Sequence, residues 1–207
     1  MDNLKEDTIN YEKSLQYWAD IPPTLDGVLG GFGFISDVDI QGSELFLKSL
    51  LDSKSPPLTN SAVDCGAGIG RISKLLLLPH FNKVGLQEFT PNKKYDVIWN
   101  QWVLGYLTDD DLVAYLIRCR NALSENGVII IKENVTSSGK TEKDETDSSV
   151  TRGFKQYVKI FKKCSLKRIK QCKQTNFPNG IYPVYMFALV PDYDNICDSN
   201  TKCNIEL

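Results

Sequence analysis

The sequence predicts an α/β fold built on a parallel, doubly wound sheet, and three observations predict it. Apolar segments of strand length alternate with amphipathic segments of helix length between residues 62 and 190. The strand candidates are apolar without alternation, as strands covered on both faces are. One of them, Ala62-Val63-Asp64-Cys65, runs directly into Gly66-Ala67-Gly68-Ile69-Gly70-Arg71, and the next segment, residues 72–78, reads as a helix closed by Pro79. Strand, tight turn and helix follow in that order. Glycines allow a sharp turn and leave room for a ligand against the main chain, with helix N–H groups free to bind its polar atoms.

Each element has its own signal. In residues 8–20, Ile9, Tyr11, Leu15, Tyr17 and Trp18 are interleaved with polar residues, which predicts a short amphipathic helix ending before Ile21-Pro22-Pro23. Residues 25–35 hold too many glycines for a stable helix or strand and read as a conformationally free segment able to close over a ligand. Residues 36–51 form the next helix, with Ser43 as its candidate N-cap, and lead into Pro56-Pro57. After the glycine turn and its helix come residues 84–89 and a Pro91-Asn92-Lys93-Lys94 turn, then the apolar strand of residues 95–100. Thr108 is a good N-cap for a helix ending near Leu123, and Asn126-Gly127 turns into the strand of residues 128–132.

Residues 136–149 are polar and charged and read as a surface loop. A basic amphipathic helix (154–164), a strand (165–170) and a final strand (182–190) complete the fold, and residues beyond Pro191 read as a frayed tail. The organisation is one domain: a helical and glycine-rich lid (1–55), an α/β core (56–191) and a tail (192–207). Ligands of such sheets bind beyond the carboxyl ends of the strands, so the segments after Asp64, after Trp99 and after Lys132 form the candidate site.

Composition bounds the partners. A chain of 207 residues with a formal net charge of −2 is long enough for a substantial core and argues against a general binder of nucleic acid or anionic membranes. The six cysteines include no C-x-x-C pair and His80 is the single histidine, so no metal site is expected. Cys65 and Cys119 fall in apolar patterns, which fits a reducing, intracellular compartment. No apolar run approaches the roughly 20 residues needed to span a bilayer, and the polar start is not that of a signal peptide. A soluble protein of the cytoplasm is expected, with the nucleus also open to it.

Gly66, Gly68 and Gly70 give G-x-G-x-G, whereas a nicotinamide-binding turn requires G-x-G-x-x-G. The spacing argues against a pyrophosphate. Asp64, two positions before the first glycine, suits a ligand carrying a cationic amine, and the combination resembles motif I of S-adenosylmethionine-dependent methyltransferases. The alternative is a glycine-rich βα turn with no ligand; the joint occurrence of Asp64 and all three glycines at the end of an apolar strand weighs against it.

Several blocks together resemble one family, the eukaryotic protein N-terminal methyltransferases, which act on the α-amine of proteins beginning Xaa-Pro-Lys after removal of methionine. The blocks are Tyr17-Trp18 with Ile21-Pro22-Pro23-Thr24, Gly30-Gly31-Phe32-Gly33, Asp64 to Arg71, Gly85-Leu86-Gln87, Asp96-Val97-Ile98-Trp99 with Gln101-Trp102, Lys132-Glu133-Asn134, Asp147-Ser148-Ser149 and Ile181-Tyr182. They cover nearly the whole chain apart from its tail. The resemblance implies a Rossmann-like, class I methyltransferase fold and S-adenosylmethionine as cofactor. It implies that Gly66 and Arg71, with Gly68 and Asp64 of the same turn, hold the methionyl part, that Leu86 and Gln87 meet the adenine, and that Gln101 lines the same pocket. Trp18, Trp102, Asn134, Asp144, Asp147, Ser149 and Tyr182 would line a channel for the peptide, ribosomal proteins being among the expected targets.

The residue types suit the chemistry. Methyl transfer requires a neutral amine aligned in line with the methyl group. An α-amine has a pKa of about 7.7–8.0, so only a modest shift or a nearby carboxylate is needed to remove its proton, and Asp147 is assigned as the acceptor. Asp144, with Glu142 or Glu145, would pair the lysine at substrate position three. Trp18 and Trp102 would pack on the proline or the methylated cation, core packing being the alternative for each.

Two departures stand out. Tyr106 occupies a place where family members often carry histidine; a phenol with a pKa near 10 is no base at neutral pH, but it can orient the amine or a water. The larger departure lies between Val84 and Gly85. There the fold calls for a strand ending in a ribose-binding carboxylate, then a helix and another strand, about 25 residues in all, and the chain has none of it. A true deletion or a stretch missing from the written sequence would each account for this, and the retention of Leu86-Gln87 favours the second. Because the missing strands belong at one sheet edge, the strand at 62–65 is still expected to pair with that at 95–99. Two rival functions follow: an inactive binder of Pro-Lys N-termini, and a small-molecule methyltransferase.

Overall fold

The computed structural model describes residues 9–73 and 93–196. The helix expected at 72–78, beyond Ser73, and the stretch 84–89 with Leu86 and Gln87 lie outside the described residues, as do both chain ends.

Helix α1 (Tyr11–Asp20) starts at Asn10, whose side chain accepts a hydrogen bond from Lys13 N, and stops at the extended residue Ile21 before Pro22. The segment expected to be conformationally free is ordered by side-chain caps. Thr24 accepts from Gly27 N to start α2 (Leu25–Val28), and Asp26 Oδ1 accepts from Gly33 N at 2.9 Å, closing a 3₁₀ turn at Gly33–Ile35. Helix α3 (Ser36–Leu51) continues straight from that turn. Ser43 is therefore not its N-cap: it is buried in mid-helix, and its hydroxyl donates back to Asp39 O at 2.9 Å.

Strands β1 (Ala62–Cys65) and β2 (Tyr95–Gln101) are buried along their whole length. Helix α4 (Asp109–Asn121) is capped by Thr108, with acidic residues in its first turn and Arg118 and Arg120 in its last, both matched to the helix dipole. Next come β3 (Leu123–Thr136), β4 (Glu142–Lys143), β5 (Val150–Gly153), α5 (Phe154–Lys163), β6 (Leu166–Lys173) and β7 (Val184–Pro191). The tail begins not by fraying but with a single helical turn, α6 (Tyr193–Ile196).

β1, β2 and β3 are parallel in that order, with Asp64 beside Trp99 and Asn100 beside Ile131. β7 pairs antiparallel with β3, and β6 antiparallel with β7. The sheet is thus mixed, parallel through β1, β2 and β3 and antiparallel where β7 and β6 join it. Among the described residues β1 is the last strand on its side. β3 runs on past residue 132 and pairs there with β5, whose other neighbour is β4. The expected loop 136–149 thus contains one short strand; two paired residues are too few to leave a periodic signal.

Alternate strand residues feed two cores, one on each face of the sheet. Val63, Ile98, Ile129, Ile131, Phe187 and Leu189 pack under α4 and α5, while Ala62, Val97, Trp99, Val128, Ile130 and Ala188 pack under Phe46 and Leu50 of α3. The strands read as unbroken apolar runs because both faces are covered.

Candidate active site

Two cavities open beyond the carboxyl ends of β1, β2 and β3. The first, of about 720 Å³, is lined by Asp64, Gly66, Gly68, Arg71, Gln101 and Trp102. Gly66, Gly68 and Gly70 all take φ near +55 to +77°, the left-handed region that side chains disfavour. Gly66 has a second reason to be glycine: a Cβ there would lie 2.5 Å from Val103 Cγ2. Asp64, at the end of β1, accepts from Ser73 Oγ at 2.6 Å; burial raises its carboxyl, and the Ser73 hydroxyl and the Arg71 charge oppose that rise.

Behind the turn sits a buried charge cluster. Asp39 of α3, fully buried, accepts from Arg71 Nη1 at 2.6 Å and from Gln101 Nε2 at 2.9 and 2.8 Å. Its Oδ1 is 2.6 Å from Lys132 Nζ, which also donates to Asp39 O, Ser43 Oγ and Gln174 Oε1. Burial pushes the Lys132 amine down, and Asp39 opposes this. Gln101 Oε1 accepts from Trp99 Nε1 at 3.2 Å, so its amide orientation is fixed at both ends.

The second cavity, of about 810 Å³, is lined by Asn134, Asp144, Asp147, Ser149 and Tyr182, with Glu133 at its floor. Glu133 Oε1 accepts from Val103 N and Leu104 N, both at 2.8 Å; complete burial outweighs these bonds and pushes its carboxyl up to about 7. Tyr106 donates to Asp147 Oδ2 at 2.5 Å, while Asp147 Oδ1 accepts from Ser149 N at 2.9 Å. Burial and the Asp147 carboxylate both push the Tyr106 phenol up. Helix α1 pins this segment: Ser14 Oγ donates to Asp147 O at 2.7 Å, and Asn10 N to Ser148 Oγ at 2.8 Å, with Ser148 at φ 62°. Further out, Tyr182 donates to Glu142 Oε2 at 2.6 Å, and the exposed Asp144 accepts from Thr146 N at 2.7 Å.

Trp18, Trp102, Tyr106, Val28 and Leu29 line both cavities. Trp18 meets Tyr106 edge to face at 5.9 Å, and Arg71 lies 5.7 Å from the centroid of Trp102. Trp102 is held at φ 52°, its N donating to Lys132 O, and its indole N–H is buried with no partner among the described residues. A buried unpartnered donor in a cavity wall is suited to a polar ligand atom.

The structure thus gathers Asp64, Gly66, Gly68, Arg71 and Gln101 around one cavity and Asn134, Asp144, Asp147, Ser149 and Tyr182 around the other, with Trp18, Trp102 and Tyr106 between. Leu86 and Gln87 lie outside the described residues. Asp39 and Lys132 had no assigned role in the sequence. The available signal was Asp39 recurring with Ser43, Phe46 and Leu50 at helical spacing on the buried face of α3. Among the described residues no His, Cys, Asp and Glu group could hold a metal, and no helix is long and apolar enough to cross a membrane.

Residues 6–86 and 81–190 match, as two overlapping segments, the family model described as AdoMet dependent proline di-methyltransferase. The chain is 42% identical over 219 residues to N-terminal Xaa-Pro-Lys N-methyltransferase 1-A of Xenopus laevis, covering 90% of this chain and 97% of that one. It is 40% identical over 214 residues to alpha N-terminal protein methyltransferase 1 of Drosophila melanogaster, covering 87% and 76%. A solved SAM-dependent methyltransferase of Leishmania major superposes with a TM-score of 0.78 at 34% identity, over 86% of this chain and 82% of that one. The Xenopus alignment is longer than this whole 207-residue chain while covering nine-tenths of it, so that relative carries residues with no counterpart here. The seam between the two family segments falls at residues 81–86, at the Gly85-Leu86-Gln87 block.

Proposed function

The chain belongs to the AdoMet-dependent proline di-methyltransferase family, and on that premise we propose that it transfers methyl groups from S-adenosylmethionine to the α-amine of proteins whose processed N-terminus reads Xaa-Pro-Lys. The observation that carries the reading is the common wall: two cavities meet at Trp18, Trp102 and Tyr106, with the Asp147 carboxylate on the Tyr106 hydroxyl. One cavity for a donor and one for an acceptor, sharing a wall with a carboxylate on the acceptor side, is the layout that a direct transfer to an amine requires.

The glycine-turn cavity suits the cofactor. Gly66 leaves the space a Cβ would fill, and Gly68, Arg71 and Gln101 line the same wall. These residues would hold the methionyl end, with Asp64 supporting the turn; Leu86 and Gln87 are assigned to the adenine. When bound, the cofactor supplies an electrophilic methyl group on a sulfonium. The rest is the work of this chain's side chains. Asp147 Oδ2 receives the proton of the α-ammonium, a group whose ordinary pKa of about 7.7–8.0 lies close enough to neutral pH for the free amine to be populated. Tyr106 stays protonated at neutral pH and orients Asp147 by donating to it. Trp18 and Trp102 exclude water and pack on the proline, Asn134, Ser149 and Tyr182 line the peptide channel, and Asp144 pairs the substrate lysine.

Within residues 1–55, α1 and α2 serve as the cover, since they bring Ser14, Leu15, Trp18 and Val28 to the first cavity, whereas Phe46 and Leu50 of α3 pack on the sheet of the α/β core at 56–191. Ribosomal proteins, whose N-termini become free in the cytoplasm, are fitting targets, and the cytoplasm, with access to the nucleus, is the compartment we assign.

The test is mass spectrometry of a Ser-Pro-Lys peptide after incubation with the chain and S-adenosylmethionine, beside the same peptide acetylated at its α-amine. Methylation of the free peptide alone is expected; methylation of both, or of neither by a folded chain, contradicts the assignment. The residues that the Xenopus relative carries without counterpart here, expected from the sequence to fall between Val84 and Gly85, favour one second reading, a binder of the same N-termini without turnover. Uptake of peptide with no uptake of cofactor would select it.

A further inference from the structure

Two members of the charge cluster beneath the glycine turn, Asp39 and Lys132, have no part in the chemistry above. The cluster's ion pairs join one carboxylate, Asp39, to two cations, Arg71 and Lys132, and Asp64 lies near enough to feel the Arg71 charge as well. Asp39 and Lys132 are wholly buried at the side chain, whereas Arg71 retains 10% exposure and lines the glycine-turn cavity. Arg71 is therefore the member of the trio that reaches the cavity. A guanidinium offers five N–H donors in a planar fork. Asp39 engages Nη1 on one side, and the Trp102 ring lies 5.7 Å from the guanidinium carbon, so the fork is oriented with donors to spare. Both oxygens of the same carboxylate also accept from the Gln101 amide. One buried side chain on α3 thus aims two cavity-lining groups on different segments.

We infer that Asp39 is a positioning residue for the carboxylate end of the cofactor. It holds Arg71 and Gln101 in place before the ligand arrives, and Lys132 balances its charge so that Arg71 keeps a full positive charge to offer. A bidentate guanidinium–carboxylate contact depends on angle as well as distance, and preorganising the fork lowers the ordering cost on binding. The inference rests on the cofactor reading given above.

The experiment is a double-mutant cycle read by calorimetric titration with S-adenosylhomocysteine, comparing the intact chain, Asp39→Asn, Arg71→Ala and the pair together. Asp39→Asn is expected to weaken binding on the order of tenfold, the scale of a lost hydrogen bond to a charged group. In the Arg71→Ala background it should cost clearly less, because one of the two groups it aims has gone and only Gln101 remains. Losses that multiply across the cycle, or an Asp39→Asn chain that binds as well as the intact one, would overturn the inference. Asp39→Asn strands a buried lysine and can fail to fold; the cycle is then run with Asp39→Asn/Lys132→Met, which keeps the net charge of the cluster and puts an apolar side chain of similar length at position 132. An intact chain that takes up no S-adenosylhomocysteine would defeat the cofactor reading itself, an outcome separate from either result of the cycle.

Discussion

The two cavities are built in different ways. The glycine-turn cavity rests on backbone conformation and buried charge: φ near +74° at Gly66, a Val103 side chain that forbids a Cβ there, and the Asp39, Arg71, Lys132 and Gln101 cluster behind. The loop cavity is assembled from side chains on six separated segments, tied by single hydrogen bonds such as Tyr106 to Asp147, Ser14 to Asp147 O and Tyr182 to Glu142. The first is held by restricted backbone and buried ion pairs; the second is a set of local ties near solvent. Substitutions in the first should therefore act on fold and cofactor affinity together, and those in the second on turnover or peptide affinity alone.

The strongest test of that division is Asp147→Asn. It should lower turnover by about a hundredfold or more, the scale of a lost general base, with S-adenosylhomocysteine affinity unchanged in titration. Equal losses in both would dissolve the distinction. Glu133→Gln probes the floor of the loop cavity through pH. With its folded pKa raised to about 7 from an ordinary 4.5, Glu133 adds stability that is complete below about 4.5 and lost as pH rises to about 7. Glutamine keeps an acceptor for Val103 N and Leu104 N but does not titrate. Melting curves of the parent should drop between pH 5 and 8 by up to a few kcal/mol relative to the variant; parallel curves would refute the shift.

Gly66→Ala should cost about 1–3 kcal/mol in denaturant unfolding, from left-handed strain and the Val103 contact. Cofactor affinity should fall with stability, and a loss of only one would blur the contrast. Tyr106→Phe removes the donor on Asp147 and should slow turnover on the order of tenfold with peptide affinity nearly constant, as steady-state kinetics would show. The smallest effect is expected for Asp144→Ala. Its carboxylate is exposed, so the Michaelis constant for a Xaa-Pro-Lys peptide should rise only a few-fold, and more at low salt than at high. No salt dependence would detach Asp144 from the substrate lysine.

What was legible in the sequence follows the same division. Gly66, Gly68 and Gly70 announce their turn because positive φ restricts the residue type, and the apolar strands announce a sheet covered on both faces. Asp39 and Lys132 were illegible because a charged residue in a helix or at a strand end ordinarily meets water; only their partnership, 93 positions apart, makes their burial tolerable. Ser43 has the residue type of a cap, but the helix had already begun at Ser36 out of a 3₁₀ turn. Residues 25–35 looked free because glycine lowers propensity, whereas Thr24 and Asp26 supply the order through hydrogen bonds that a composition does not reveal.

Trp18, Trp102 and Tyr106 line both cavities, and that joint wall has a thermodynamic consequence. Whatever one occupant does to settle these three rings, the other finds already done or undone. The two ligands are then coupled, and linkage makes the coupling reciprocal: the factor by which cofactor changes peptide affinity equals the factor by which peptide changes cofactor affinity.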